Sequence, residues 1–184
     1  MATDPDNILV GASGTVRVAP VGTTVPTDLE TAYAAGWVDL GFIGEDGVEL
    51  TPSVDMNEIM AWQDFYPVRR VVTSRGLDIG IPLLEWNKTT VPLALGGGEI
   101  TTATGVHKYE PPEPADLDER ALAVEWSDGD RNYRWHFARV MVTDLAGFTV
   151  RRGEGAILPL TASVMGVTGA KPWHFLTDDP AFAA

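Results

Sequence analysis

The sequence predicts an all-β domain, a β-sandwich or β-barrel with one short α-helix, for three reasons. Apolar and polar residues alternate over many short segments, which is typical of half-buried strands. The chain contains 19 glycines and 13 prolines, and these residues punctuate short strands better than long helices. Its length of 184 residues suits one well-cored domain and is too short for two. We therefore expect residues 1–184 to form a single domain of about seven to nine strands.

The first quarter of the chain is predicted to contain two strands. Segment 13–20 alternates valines with polar or small residues and ends at a proline, which indicates a strand. Segment 21–36 is expected to be a loop, with a helical turn beginning after Thr27. Segment 37–44 is the second strand, and Asp46-Gly47 predicts a hairpin turn after it.

Residues 44–67 are acidic, yet they include several large apolar side chains. A free acidic loop should not leave so much apolar surface in water. We predict an extended arm or loop that packs on a neighbouring subunit. Its interface side chains are expected to be Met56, Ile59, Trp62 and Phe65.

The strongest strand pattern is at 68–86, where Leu77 and Ile79 flank Asp78. Asp78 should therefore point away from the apolar side of its sheet. Residues 87–98 predict a short helix that Thr89 or Thr90 can cap and that a run of glycines would end.

The remaining elements follow from alternation and turn residues. Segment 99–110 is predicted as a strand, 111–120 as an exposed proline-rich acidic loop, 121–144 as a long hairpin with its tip at 127–130, 148–166 as one or two strands, and 172–184 as a C-terminal tail. The tip sequence Ser-Asp-Gly-Asp resembles half of a calcium loop but lacks the terminal glutamate, so a hairpin tip is favoured. Glu125, in the first arm of the hairpin, lies between Val124 and Trp126 and should also face away from the apolar side.

Composition and motifs argue against an enzyme. The chain has no cysteine, so it has no disulfide and no thiolate nucleophile or ligand. The three histidines, His107, His136 and His174, lack the spacing of a zinc site. No nucleophile elbow and no phosphate-binding loop occurs in the sequence. We expect no catalytic residue, no cofactor and no metal.

The charge argues against tight nucleic-acid binding and is unevenly distributed. The net charge of −13 repels phosphate. Residues 1–64 hold 11 acidic and one basic side chain, a net of −10, whereas residues 65–108 hold 5 basic and 3 acidic, a net of +2. An acidic solvated surface is one interpretation; contact between the acidic surface of one copy and a less acidic surface of the next is the other.

The chain start has neither the basic region nor the apolar region of a signal peptide, and no apolar run reaches the length of a membrane helix. We therefore expect synthesis and folding in a cytoplasm, with no membrane partner.

Several blocks of the sequence resemble a known family. VGASGTVRVAPVGTTVPTD, followed by GWVDLGFIGEDGVELTPS, resembles the N-terminal region of major tail proteins of long-tailed, siphovirus-type phages, particularly those that infect actinobacteria. EIMAWQDFYPVRRVVTSRG and LLEWNKTTVPLALGGG are similar to the blocks that come next, and GEGAILPLTASVMG and HFLTDDPAF to the last strand and tail. The resemblance covers nearly the whole chain in order.

The resemblance implies a tail tube protein of the virion. Such proteins form hexameric rings, stacked head to tail, in which an inner sheet of each subunit contributes to one β-barrel between subunits. DNA passes through the lumen without specific binding. Partners would be further copies and, at the ends, the tape measure, tail terminator and distal tail proteins. Residues 1–12 would be an N-terminal arm, 44–67 a stacking arm, and 172–184 a tail.

A DNA-conducting lumen should be acidic, because each basic contact to phosphate adds affinity. We predict Asp78, and secondarily Glu125, as lumen-facing residues; outer solvent is the alternative for both. Two other functions stay open at this point. The chain could be another phage structural part, such as a tail terminator or decoration protein, or a carbohydrate-binding β-sandwich whose tryptophans form a sugar platform.

Overall fold

The computed structural model describes residues 7–113 and 118–183, which form a mainly β structure with one short α-helix. The predicted fold class is confirmed. The elements are β1 (Ser13–Pro20), β2 (Val38–Asp39), β3 (Glu49–Met60), β4 (Pro67–Leu83), α1 (Thr90–Ala94), β5 (Glu99–Ala103), β6 (Val106–Glu110), β7 (Glu119–Asp128), β8 (Arg131–Asp144), β9 (Leu158–Val164), β10 (Trp173–Thr177) and a final 3₁₀ turn (Pro180–Phe182). Parts of the predicted N-terminal arm (1–6), of the 111–120 loop (114–117) and of the tail (184) lie outside the described residues.

One large antiparallel sheet carries most of the strands, in the order β2-β1-β7-β8-β9-β4-β3. Strand β8 is long enough for two partners along one edge: its first half pairs with β10 and its second half with β9. Strands β5 and β6 form a separate two-stranded hairpin.

The large sheet closes on itself through residues 38–44. At the start of this segment, β2 pairs with β1, and the Leu40 amide donates to the Val16 carbonyl at 2.9 Å. At its end, Ile43 bridges to Leu83 of β4, and the Gly44 amide donates to the Pro82 carbonyl at 2.7 Å. The segment thus joins the β1 and β4 sides of the sheet.

The hydrophobic core fills the inside of this curled sheet. Alternate residues of each strand point inward, as the pleat requires. On β4 these are Leu77, Ile79, Ile81 and Leu83, each at most 7% exposed. They pack in one cluster with Val16 and Val18 of β1, Leu122 and Val124 of β7, Phe137 and Val140 of β8, and Leu158, Leu160 and Ala162 of β9.

Helix α1 packs against β9 and adds Leu93 and Ala94 to the core. The side chain that caps the start of the helix is Asn87, and not Thr89 or Thr90 as predicted. Its Oδ1 accepts hydrogen bonds from the Thr89 and Thr90 amides at 2.8 and 3.0 Å. The buried Thr90 hydroxyl instead donates to the Glu85 carbonyl at 2.7 Å. The helix ends, as predicted, at glycines 96–98, whose φ values of 77°, 122° and 93° are unfavourable for other residues.

The β3–β4 hairpin extends well beyond the core. Strand β9 pairs with β4 only at residues 78–83, whereas β3 pairs with β4 from Glu49↔Gly80 to Met60↔Pro67. We call residues 51–76 the outer hairpin: two paired strands joined by a turn at 61–66.

Residues 21–37, here called the strap, cross the back of the sheet over β1, β7 and β8. Arg134 holds the strap by donating to the Asp28 and Thr31 carbonyls at 2.6 and 3.1 Å. The predicted helical turn after Thr27 is wrong. The Asp28 carboxylate accepts from the Glu30 and Thr31 amides and forms an Asx turn, which competes with a helix start.

Two other predictions need correction. A turn does occur at Asp46-Gly47, but the flanking segments pair with β1 and β4 instead of with each other, so the predicted hairpin is wrong. Segment 99–110 is two strands, because the chain turns at Thr104-Gly105. Segment 148–166, predicted as one or two strands, contains one, β9, so that prediction is confirmed.

Candidate assembly surfaces

The outer hairpin exposes all four side chains predicted to form an interface. Trp62 and Phe65 in its turn are 100% and 98% exposed, and Met56 and Ile59 on β3 are 54% and 46% exposed. Burying one large apolar side chain stabilises a protein by about 1.5–3 kcal/mol. An exposed cluster of this size is typical of a contact surface.

The two faces of the outer hairpin differ in polarity. The face that continues the core side carries Val54, Met56 and Met60 of β3 and Val72 of β4, all exposed. An exposed ion pair, Arg70 Nε to Glu58 Oε1 at 2.8 Å, lies among them. The pairing register shifts between Asp55 and Met56 and between Ile59 and Met60, so the alternation along β4 is interrupted in its outer half.

The opposite face of the outer hairpin is polar near the core, where it continues onto β9. There it carries Thr51, Ser53, Asp55 and Asn57 of β3, opposite Asp78 and Ser74 of β4. Towards the turn the same face carries Ile59, Val71 and Arg69. The Ser74 hydroxyl donates to Asp55 at 2.6 Å, and the Ser163 hydroxyl of β9 donates to Asp78. Asp78 is half-buried, on the side of β4 away from Leu77 and Ile79.

Glu125 lies on the back of the sheet but in different surroundings from Asp78. Its carboxylate is held between Arg17 and Arg134, the latter at 2.5 Å from Nε to Oε1. Arg17 and Arg134 also lie over the Tyr33 ring of the strap, with guanidinium carbons 5.0 and 4.8 Å from its centre. The structure therefore does not bring Asp78 and Glu125 together.

His136 is buried under the strap. Its ring contacts Trp37 of the strap and His174 of β10, with centroids 5.7 and 5.1 Å apart. Burial, together with the neighbouring His174, lowers the pKa of His136 to about 4. Nε2 of His136 finds no hydrogen-bond partner among the described residues. Burial likewise raises the pKa of Tyr33 to about 12.

The residues near both ends of the chain are attached to the β7–β8 turn by carboxylates. The Val10 amide donates to Asp128 at 3.0 Å, and Asn132 donates to Asp178 from its backbone and side chain at 2.6 and 2.8 Å. The Tyr133 hydroxyl donates to Asp179. The hydrogen bonds from Asn132 and Tyr133 hold the pKa values of Asp178 and Asp179 below their usual range.

A groove of about 680 Å³ opens beside the start of β3. Residues 41–48 form one wall, and β1 and β7 form the other, ending at Trp126. Trp126 begins a row of stacked rings across neighbouring strands: Tyr133 at 5.5 Å and Trp135 at 6.2 Å, the latter also 5.2 Å from Trp173. Trp126 and Trp135 thus pack at the margin of the core.

Sequence reasoning missed the strap, the ion cluster around Glu125 and the groove. Each joins residues that are distant in the chain, as with Arg17, Glu125 and Arg134, so no local spacing could have revealed it. The sequence contained one indication of the ion cluster, namely that Arg17 and Arg134 lie in strands with alternating polarity. Arginines in such strands can equally face solvent.

Two findings concern other kinds of site. Within 7–113 and 118–183, His, Asp and Glu side chains form no group arranged to hold a metal ion. In the same residues, no helix has the length and apolarity needed to span a membrane.

Comparison with known proteins gives one decisive match. No curated protein matches the sequence. Among solved structures, a chain of "Cryo-EM structure of the anti-feeding prophage (AFP) baseplate, 6-fold symmetrised" is 11% identical, with alignment over 96% of this chain and 97% of that one and a TM-score of 0.33. A family model described as "Phage tail tube protein" matches residues 1–184. The chain belongs to the phage tail tube protein family.

Proposed function

We propose that this protein is the subunit of the tail tube of a long-tailed phage, one of the siphovirus type that infects actinobacteria. Copies assemble into hexameric rings that stack head to tail, and DNA passes through the lumen during ejection. The observation that carries the proposal is the outer hairpin, a long, paired and apolar extension that contributes little to its own core.

The outer hairpin supplies the contact between copies. Its turn presents Trp62 and Phe65, and β3 presents Met56 and Ile59, at the far end from the core. Such a projection must meet a different surface of the next copy. A contact between two different surfaces does not close on itself in a pair and generates rings or filaments. We assign these four side chains to the interface with the adjacent ring.

The polar face of β3, β4 and β9 lines the lumen in this proposal. Its residues are mainly small and polar, and its carboxylates include Asp55 and Asp78. The part of this face near the core would let DNA slide, because its carboxylates repel phosphate, whereas Arg69 lies at the other end of the face, close to the turn. Glu125 is the weaker candidate, since Arg17 and Arg134 neutralise it.

The role is structural and non-enzymatic, and the protein's place is the virion tail. Further copies are the main partners. The tape measure protein would occupy the lumen before ejection, and the tail terminator and distal tail proteins would meet the tube ends.

Electron microscopy of the purified protein tests the proposal. Tubes built of six-fold rings are expected. The matched control replaces residues 54–75 by a two-residue Asn-Gly turn between the paired residues Ser53 and Gly76, which removes most of the outer hairpin and keeps the register of the buried part of β4, from Leu77 onward. This variant should fold, as judged by circular dichroism, and remain free of tubes. Isolated rings from the parent chain would favour a terminator or decoration protein, and monomers under all conditions would contradict assembly altogether.

A further inference from the structure

We infer that the groove beside Trp126 receives the turn of the outer hairpin from a second copy of this chain. The inference rests on the proposed function and adds to it the surface that accepts the hairpin. Three features of the described residues support it: the apolar lining of the groove, the distance between groove and turn within one copy, and the charges around each.

The groove is concave and largely apolar. Its lining includes Leu9, Phe42, Ile43, Val48, Leu50 and Trp126. Phe42 is 76% exposed, although it lies on a segment that is hydrogen-bonded to β1 and β4. A volume of about 680 Å³ is within the range of about 300–1,000 Å³ that holds compact ligands, and an aromatic side chain fits it readily.

The turn of the outer hairpin has the side chains that such a groove would bury. Trp62, Phe65 and Tyr66 protrude from a short turn and are the most exposed aromatic cluster of the hairpin. Aromatic side chains bury about 150–250 Å² each and dominate the energetics of interfaces.

One copy cannot fill its own groove with its own turn. Leu50, at the start of β3, lines the groove, whereas Met60 precedes the turn at the other end of the strand. Ten residues at about 3.3 Å each separate them by roughly 33 Å. Pairing with β4 along this whole length holds β3 extended. A hairpin turn that fills the groove must therefore come from another molecule.

The charges near the two surfaces are complementary. Glu45 and Asp46 are exposed at the rim of the groove and have no ion-pair partner among the described residues. Arg69 pairs in register with Ile59, close to the turn, and is likewise exposed and without an ion-pair partner in the described part of the chain. Docking of the turn would bring this cation towards the acidic rim, which favours one orientation over others.

Cysteine cross-linking tests the contact on a chain that has no native cysteine. The double variant Gln63→Cys/Asp46→Cys keeps Trp62 and Phe42 and places one thiol beside the turn and one at the rim. Assembled protein is treated with a short bis-maleimide and analysed on a denaturing gel. We expect a ladder of covalent multimers from the double variant, and monomers or at most dimers from each single variant. The control Gln63→Cys/Thr102→Cys, with its second thiol on the exposed β5–β6 hairpin, should give no ladder.

The outcomes separate this inference from the proposed function. Tubes that form normally but give no ladder would overturn the inference and leave tube assembly standing. Absence of tubes from the parent chain would overturn the proposed function itself. An intramolecular cross-link in Ala2→Cys/Asp46→Cys, together with no 63–46 ladder, would assign the groove to the chain's own first residues and also overturn the inference.

A mutant cycle gives an independent measurement. Trp62→Ala should raise the critical concentration for assembly by about 30-fold or more, and Phe42→Ala by at least about 5-fold. The two side chains share one contact. The increase in critical concentration caused by the double variant should therefore be at least about 3-fold smaller than the product of the two single increases. Multiplicative effects would show that the two residues act at separate contacts and would contradict docking in this groove.

Discussion

Lowering the pH from 7 to 5 is expected to weaken the folded subunit through His136. This residue is 7% exposed and is covered by the strap. Burial lowers its pKa to about 4 in the folded chain, against about 6.5 in an unfolded chain. Between these two values the unfolded state binds a proton that the folded state does not bind. The stability is therefore complete above pH 6.5 and is lost as the pH falls towards 4.

The size of the effect follows from the two pKa values. A difference of about 2.5 pKa units corresponds to about 3 kcal/mol if the whole window is crossed, and to about 2 kcal/mol by pH 5. This loss is a measurable part of the roughly 5–15 kcal/mol that stabilises most domains. Asp28, Glu119, Asp178 and Asp179 have lowered pKa values. Their contributions are present above the unfolded pKa values, about 3.9 for Asp and 4.3 for Glu, and are lost as the pH falls through and below these values, so they change little between pH 7 and 5.

Urea unfolding at pH 7, 6 and 5 measures the effect, at concentrations where sedimentation shows monomer. The matched variant is His136→Phe, which keeps a ring against Trp37 and His174 but cannot take up a proton. The parent chain should lose about 2 kcal/mol more than this variant between pH 7 and 5. Equal losses in the two proteins would refute the assignment of the pH dependence to His136.

Three further predictions concern assembly and ejection. Trp62→Ala should weaken the contact between copies by about 2 kcal/mol or more, seen as a higher critical concentration in sedimentation, while Val106→Ala, at another exposed apolar position, should leave it unchanged. Deleting residues 1–10 removes the Val10 hydrogen bond to Asp128; the monomer should keep its circular dichroism spectrum but form fewer tubes, and normal tube yield would exclude a role of these residues in assembly. Asp78→Lys should leave tubes intact and slow DNA ejection at low salt, with a smaller effect at high salt because phosphate contacts are screened; ejection at the parental rate would remove Asp78 from the lumen wall.

The sequence predicted well those elements whose structure is determined by residues close together in the chain. Strand β1 shows strict alternation up to Pro20, and the β7–β8 hairpin turns at Gly129, whose φ of 60° suits glycine. The predicted hairpin around Asp46-Gly47 failed because Leu40 and Ile43 pair with strands far away in the chain. No local pattern contains that information.

The same distinction applies to the assembly surfaces. Alternation along β4 correctly placed Asp78 opposite Leu77 and Ile79. It also placed Glu125 on the back of its sheet, but it could not show that the strap and two arginines meet it there. Whether either carboxylate lines the lumen depends on neighbouring copies and stays a prediction.

The two halves of strand β4 differ in burial. Residues 77–83 belong to the core, whereas residues 67–75 are exposed along their length apart from Pro67. In the proposed assembly, substitutions in the outer half would therefore change which copies recognise each other without a large cost to folding. Related tubes can diverge in this half until their subunits no longer mix, while the inner half remains under the constraint of close packing. Two phages that replicate in one cell could in this way keep their tails separate with a few changes in a single hairpin.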